Sequence, residues 1–265
     1  MGEDSRNKER FDSAMSLGDH LEELRMRLIL ALAGVALALI VSLFFGVSII
    51  TFLERPYLAA MGENAKSLQV LGPADGFISY MNICLVTGLI ISSPWVFYQL
   101  WMFVAAGLYA HEKRYVYLAV PFSTVMFISG SLFFIFVIAP VTLQVLVAFN
   151  KSVLGVESNF TFQKYISMIT IMMLVFGLAF QTPIVVYFLN KTGLVSIHVL
   201  RKSRKYVLLG VVVVAAAATP GSDMFSLFSL AAPLYLLFEL GILLCLWSGR
   251  RKKASAGESS NDSNG

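Results

Sequence analysis

An all-α integral membrane protein, with six kinked transmembrane helices and both termini in the cytosol, is the fold class that the sequence predicts. Three observations predict it. Hydrophobic residues fill 57% of the 265 positions and charged residues 14%, with a mean hydropathy of +0.76. One water-soluble core cannot absorb that much apolar surface, so the solvent is lipid. The apolar residues also fall into six runs divided by short polar segments. Finally, sixteen of the twenty Lys and Arg lie where six spans would leave the cytosolic segments, against Arg55, Lys66, Lys151 and Lys164 outside. That is a strong positive-inside bias.

The elements follow in order. Residues 1–15 are polar and expected to be disordered, with no cleavable secretory signal. Residues 16–249 form the membrane domain. It opens on the amphipathic stretch Ser16–Leu28, where Leu17, Leu21, Leu24 and Leu28 share one helical stripe and His20, Glu23 and Arg27 another. Ser16 and Asp19 have capping-box spacing, and Glu23 with Arg27 is a helical pair. The first span is placed at 29–50. A polar stretch with Pro56 leads to the second, at 77–95, and residues 98–109 read as interfacial from their aromatic content. The third span is 115–139, ended by Pro140, with a mixed, partly helical loop over 142–164. The fourth is 165–189, interrupted by Gln181 and Pro183.

The fifth run, 206–219, has 14 residues. At about 1.5 Å per residue it reaches roughly 21 Å, short of a hydrocarbon core of about 30 Å. Omitting it would strand Arg250–Lys253 outside, so it counts as a span, in a locally thinned bilayer or an unusual environment such as cover by neighbouring helices. The sixth is 225–247, and residues 250–265 form a basic, then polar, disordered tail. Pro94, Pro121, Pro183 and Pro233 lie within or beside apolar runs and bend them, which favours a concave assembly.

Catalytic apparatus is not visible. His111-Glu112 starts like a zinc-peptidase motif, but Tyr115 stands where the second His would be. Cys84 and Cys245 sit in separate apolar runs, which suggests neither disulfide nor metal site. The basic residues are dispersed between spans, which speaks against nucleic acid as a partner. The expectation is a non-enzyme without cofactor or metal. Glu23, Glu112, Gln181, Asp223 and Glu239 are the polar groups to weigh, because ionisable or amide groups in apolar helices are costly. A proton-coupled small-solute transporter built on Glu239 and Gln181 is the alternative function.

Four motifs, HLEELRMRL at 20–28, SSPWVFYQLWMFVAAGLYAHEKR at 92–114, ATPGSDMFS at 218–226 and AAPLYLLFELGI at 231–242, resemble the TatC family in order and spacing. These are the multispanning subunits of the twin-arginine protein translocase, and the resemblance runs from about Ser16 to Trp247. It implies a six-helix, cup-shaped receptor for twin-arginine signal peptides of folded preproteins. Its expected partners are TatA- and TatB-type single-span proteins, further copies of itself within a receptor complex, and membrane lipid. Transport would use the proton-motive force, in the bacterial inner membrane or the thylakoid membrane. Signal-peptide binding maps onto Glu23, Arg25, Leu28, Phe103, Leu108 and Glu112, and the family's other functional positions onto Pro56 and Asp223. Gln181 stands where relatives often carry Glu, which leaves a hydrogen-bonding role there.

The topology is testable. A thiol probe confined to the outside should label a cysteine placed at Ser158 and spare one at Ser255. The reverse pattern overturns it.

Overall fold

A computed structural model describes residues 17–62, 67–107, 113–156, 158–218 and 224–261. The described chain is helical, with one isolated bridge between Gln69 and Thr161. The helices are α1 (Leu17–Phe44), α2 (Gly46–Leu53), α3 (Arg55–Met61), α4 (Asp75–Ala106) and α5 (Lys113–Phe133). A π-helical turn, Phe134–Ile138, joins α5 to α6 (Ala139–Phe149), and a second, Asn150–Leu154, follows it. Then come α7 (Phe162–Ala179), α8 (Thr182–Lys191), α9 (Ile197–Lys202), α10 (Arg204–Ala218) and α11 (Met224–Asn261). Among the described residues, five stretches are long and apolar enough to cross a membrane: His20–Phe44, Asp75–Ala106, Val116–Leu154, Phe162–Lys191 and Leu227–Trp247. The expected short span corresponds to α10, a helix of 15 residues.

Several boundaries differ from those read in the sequence, each for a local reason. The amphipathic stretch and the first span are one helix, but it breaks at Phe45 rather than running to Ile50. Phe45 N–H turns back to Ser42 O at 3.2 Å. The Tyr80 hydroxyl donates to Leu43 O at 2.6 Å, taking up a carbonyl that the break frees. Pro56 sits in the first turn of α3, where a missing N–H costs nothing. α4 passes through Pro94 to Ala106, so the stretch expected to be interfacial is helix, and Gln99, Trp101 and Ala105 are buried.

Pro140 does not end the third span. The π turn ahead of it shifts the ladder to i→i+5, with Ala139 N–H bonded to Phe134 O, and the helix continues to Leu154. Of the mixed, partly helical loop expected over 142–164, the residues up to Leu154 are therefore helix, and helix resumes at Phe162. Pro183 does act as a break: α7 ends at Ala179 and α8 restarts with the proline in its first turn. α11 carries on through Arg250–Lys253 to Asn261, where a disordered tail was expected. Its first five residues, Arg250 to Ala254, are all good helix formers and prolong an existing helix. Ser16, the expected cap of α1, lies outside the described residues.

The chain divides into two compact units. The first comprises residues up to Phe52 and Phe77–Ile128. Within it α1 and α4 run antiparallel, because partners rise along one helix as they fall along the other. Leu43 meets Tyr80, Ser42 meets Cys84, Leu39 meets Gly88, and Leu30 meets Trp95. Small residues permit this approach. A Cβ on Gly88 would stand 3.0 Å from the Leu39 Cα. Gly34 lies beneath the Trp95 indole, whose Nε1 donates to Leu30 O at 2.9 Å.

The second unit comprises Leu53–Gly76 and Ser129 onward. There α8 packs on α11 through Val186, Phe238, Ile242 and Cys245, with Leu200 of α9 closing the cluster. At its other loops Gln69 N–H bonds Phe160 O and Phe162 N–H bonds Gln69 O. Tyr57 packs edge-on against Phe160 and Tyr165, whose hydroxyl donates to Leu53 O at 2.7 Å.

Gly88→Val should destabilise the protein by about 1–3 kcal/mol, because the atom it would press on is backbone. Gly76→Ala, with nothing within 4 Å, should stay near the parent. Unfolding midpoints in detergent decide this, and equal midpoints for the two variants contradict the packing.

Candidate functional site

The amphipathic start of α1 presents its polar stripe, not its leucines, to α4. Residues 20, 23 and 27 fall on one helical face, as do 99 and 103 on α4. His20 stacks on Phe103 with ring centroids 4.6 Å apart and an interplanar angle of 24°. Two turns on, Arg27 bridges two partners. Its Nη2 donates to Glu23 Oε1 at 3.2 Å and its Nη1 to Gln99 Oε1 at 3.1 Å. Gln99 is 2% exposed, whereas Glu23 and Arg27 keep about a fifth to a quarter of their side chains open (21% and 24%). The buried amide thus has a charged donor, and the carboxylate has one oxygen engaged while its side chain stays reachable.

The leucine stripe faces outward. Leu21 is 65% and Leu28 57% exposed, and Leu24 is also exposed. In a water-soluble helix the burial would be reversed. Here the apolar face is left for lipid or for another apolar chain.

The positions singled out in the sequence are placed as follows. Glu23 and Phe103 lie on the same α1–α4 surface. Arg25 and Leu28 are exposed, off the face that meets α4. Pro56 is buried in the first turn of α3. Gln181 is half-buried at the break between α7 and α8, and its backbone carbonyl accepts from Ile184 and Val185 N–H at 3.0 Å. Leu108, Glu112 and Asp223 lie outside the described residues. Gln99 was missed. Its signal was present as the one amide within the aromatic run WVFYQLWMF, but nothing local names its partner 72 residues away. Arg27 was read only as a helix-supporting pair of Glu23.

Glu239, in the second unit, takes Arg204 Nη2 on Oε2 at 2.8 Å and the Tyr235 hydroxyl on Oε1 at 2.9 Å. Both carboxylate oxygens are engaged, and the Arg204 contact ties α10 to α11. The transporter alternative is not favoured. No group of three or more His, Cys, Asp or Glu suited to a metal occurs among the described residues.

Comparison with known proteins agrees with this architecture. The family model "Sec-independent protein translocase protein (TatC)" matches residues 19–233. A protein of that name from Desulforapulum autotrophicum is 34% identical over 245 residues, covering 92% of this chain and 89% of its own. Another, from Aquifex aeolicus, is 33% identical over 239 residues, covering 90% and 98%. A crystal structure described as the twin arginine translocase receptor TatC superposes with a TM-score of 0.78 at 31% identity, covering 87% of this chain and 99% of that one.

Arg204 is nearly half exposed, so its pair with Glu239 is wet at one end. Arg204→Leu should cost no more than about 1 kcal/mol. A loss above 3 kcal/mol, read from unfolding in detergent, would mean a fully desolvated pair.

Proposed function

The chain belongs to the TatC family, Sec-independent protein translocase proteins, and from that premise we propose that it is the membrane receptor for twin-arginine signal peptides, with Glu23 and Glu112 taking the two arginines. The observation that carries this reading is the partly open Glu23 carboxylate, held on α1 against α4. A guanidinium seeks a planar carboxylate, on which it can make two parallel hydrogen bonds. The chain joins α4 to α5 through Glu112, beyond the end of α4 that carries Phe103. That connection supports bringing a second carboxylate to the surface where Glu23 lies. Phe103 and Leu108 would offer apolar contacts to the residues that follow the arginine pair, and Arg25 and Leu28 would extend the same site.

The membrane arrangement that fits this role has six spans, with α10 as the short fifth one and both termini cytosolic. At about 1.5 Å per residue the 15 residues of α10 reach roughly 22 Å, which supports a thinned bilayer beside it. TatA- and TatB-type single-span partners, with further copies of this chain, complete the translocase in this reading. Folded preproteins then cross at the expense of the proton-motive force. Asp223 and Pro56 serve the loops between spans, and Gln181 contributes a hydrogen bond at the α7–α8 break.

Glu23→Ala and Glu112→Ala should each weaken binding of a twin-arginine signal about tenfold at low salt, corresponding to roughly 1.4 kcal/mol. Glu112→Gln should be nearly as damaging, and a Lys-Lys signal should bind less well to the parent. Crosslinking from a probe beside the arginine pair, titrated at normal protein levels, measures this. Unchanged binding in both alanine variants would remove the assignment.

A further inference from the structure

We infer that Arg27 is an internal guanidinium which occupies the Glu23 carboxylate until a signal arginine replaces it, and that Gln99 holds Arg27 aside during the exchange. The inference rests on Glu23 being a signal-binding residue. It adds a competitor and its holder to that site.

Four features of the geometry carry it. The group on Glu23 is already the one that the receptor would recognise in a signal. It is attached by a single contact, Nη2 to Oε1 at 3.2 Å. That is longer than the 2.7–2.9 Å typical of a charge-assisted bond. An incoming guanidinium that makes the two-bonded fork therefore gains over the resident one. Both side chains of the resident pair are about a fifth to a quarter exposed (21% and 24%), so a ligand can reach them.

The fourth feature is Gln99. Its amide oxygen is buried at the α1–α4 contact and accepts from Arg27 Nη1 at 3.1 Å. A buried acceptor keeps its donor, because losing it leaves an unsatisfied polar atom. Arg27 is thus kept from turning both of its terminal nitrogens onto Glu23. When a signal displaces Nη2, the Nη1 bond to Gln99 remains and the arginine has somewhere to stay. The arrangement lowers the affinity of the empty receptor for any cationic peptide by the same factor, since each must displace the same contact.

The signs of three variants separate this from a merely supporting role. Arg27→Gln should bind a labelled peptide carrying Arg-Arg before an apolar stretch about two- to fivefold more tightly, the range of an exposed ion pair removed from competition. A Lys-Lys peptide should gain by the same factor. Gln99→Leu should weaken binding at least about twofold, because Arg27 is then free to fork onto Glu23. In the double variant Gln99→Leu should have no further effect, since no arginine remains to compete. All are measured on the full-length protein in detergent, with Glu23→Ala alongside. If Arg27→Gln weakens binding or leaves it unchanged while Glu23→Ala abolishes it, Arg27 is not a competitor and the inference fails alone. If Gln99→Leu weakens binding equally in both backgrounds, the holding role of Gln99 is wrong. If Glu23→Ala has no effect, the receptor assignment beneath the inference fails first.

Discussion

Hydrocarbon offers a backbone carbonyl no hydrogen bond, so wherever a helix in this protein departs from the regular ladder something must step in. The break at Phe45 is covered by the Tyr80 hydroxyl on Leu43 O, and the Cys84 thiol approaches Ser42 O at 3.7 Å. At the end of α2 the Tyr165 hydroxyl donates to Leu53 O at 2.7 Å. A π turn carries the third long helix past Pro140 by relaying its bonds one residue further. These hydroxyls and turns let the helices bend in lipid while the freed carbonyls at Leu43 and Phe134 keep a donor.

The same constraint sets how closely helices approach. Burial from water does not drive two apolar helices together within lipid, so small residues and specific bonds must do it. Gly34 and Gly88 bring the backbone of α1 to α4, and the Trp95 indole uses the space over Gly34 to reach Leu30 O. In the second unit Gly241 lets α11 close on Pro183 and Val186. The Trp95 indole thus ties one helix to another.

At the end of the α1–α4 pair the arrangement turns polar. His20, Glu23 and Arg27 point at Phe103 and Gln99, and the leucines beside them stay outside. Polar groups there are worth more in contact with each other than with lipid, and an arginine with two acceptors can satisfy a buried amide and a half-open carboxylate together. The result is a carboxylate held by an arginine of its own helix and anchored through that arginine to the neighbouring helix.

By itself the sequence determined the class of the protein, the apolar runs and the family. It also determined that His20, Glu23 and Arg27 share a helical face. Hydropathy and the 3.6-residue period decide those properties, and both are local. The tertiary structure decided which stripe of α1 packs, where α1 breaks, and why Pro140 passes while Pro183 does not. It also decided that Gln99 belongs to the site. Lipid and protein interior are equally apolar, so hydropathy cannot tell an outward leucine from a packed one. The partner of a freed carbonyl or a buried amide lies tens of residues away, 37 for Tyr80 and Leu43 and 72 for Arg27 and Gln99. Only the folded chain brings those groups within hydrogen-bonding distance.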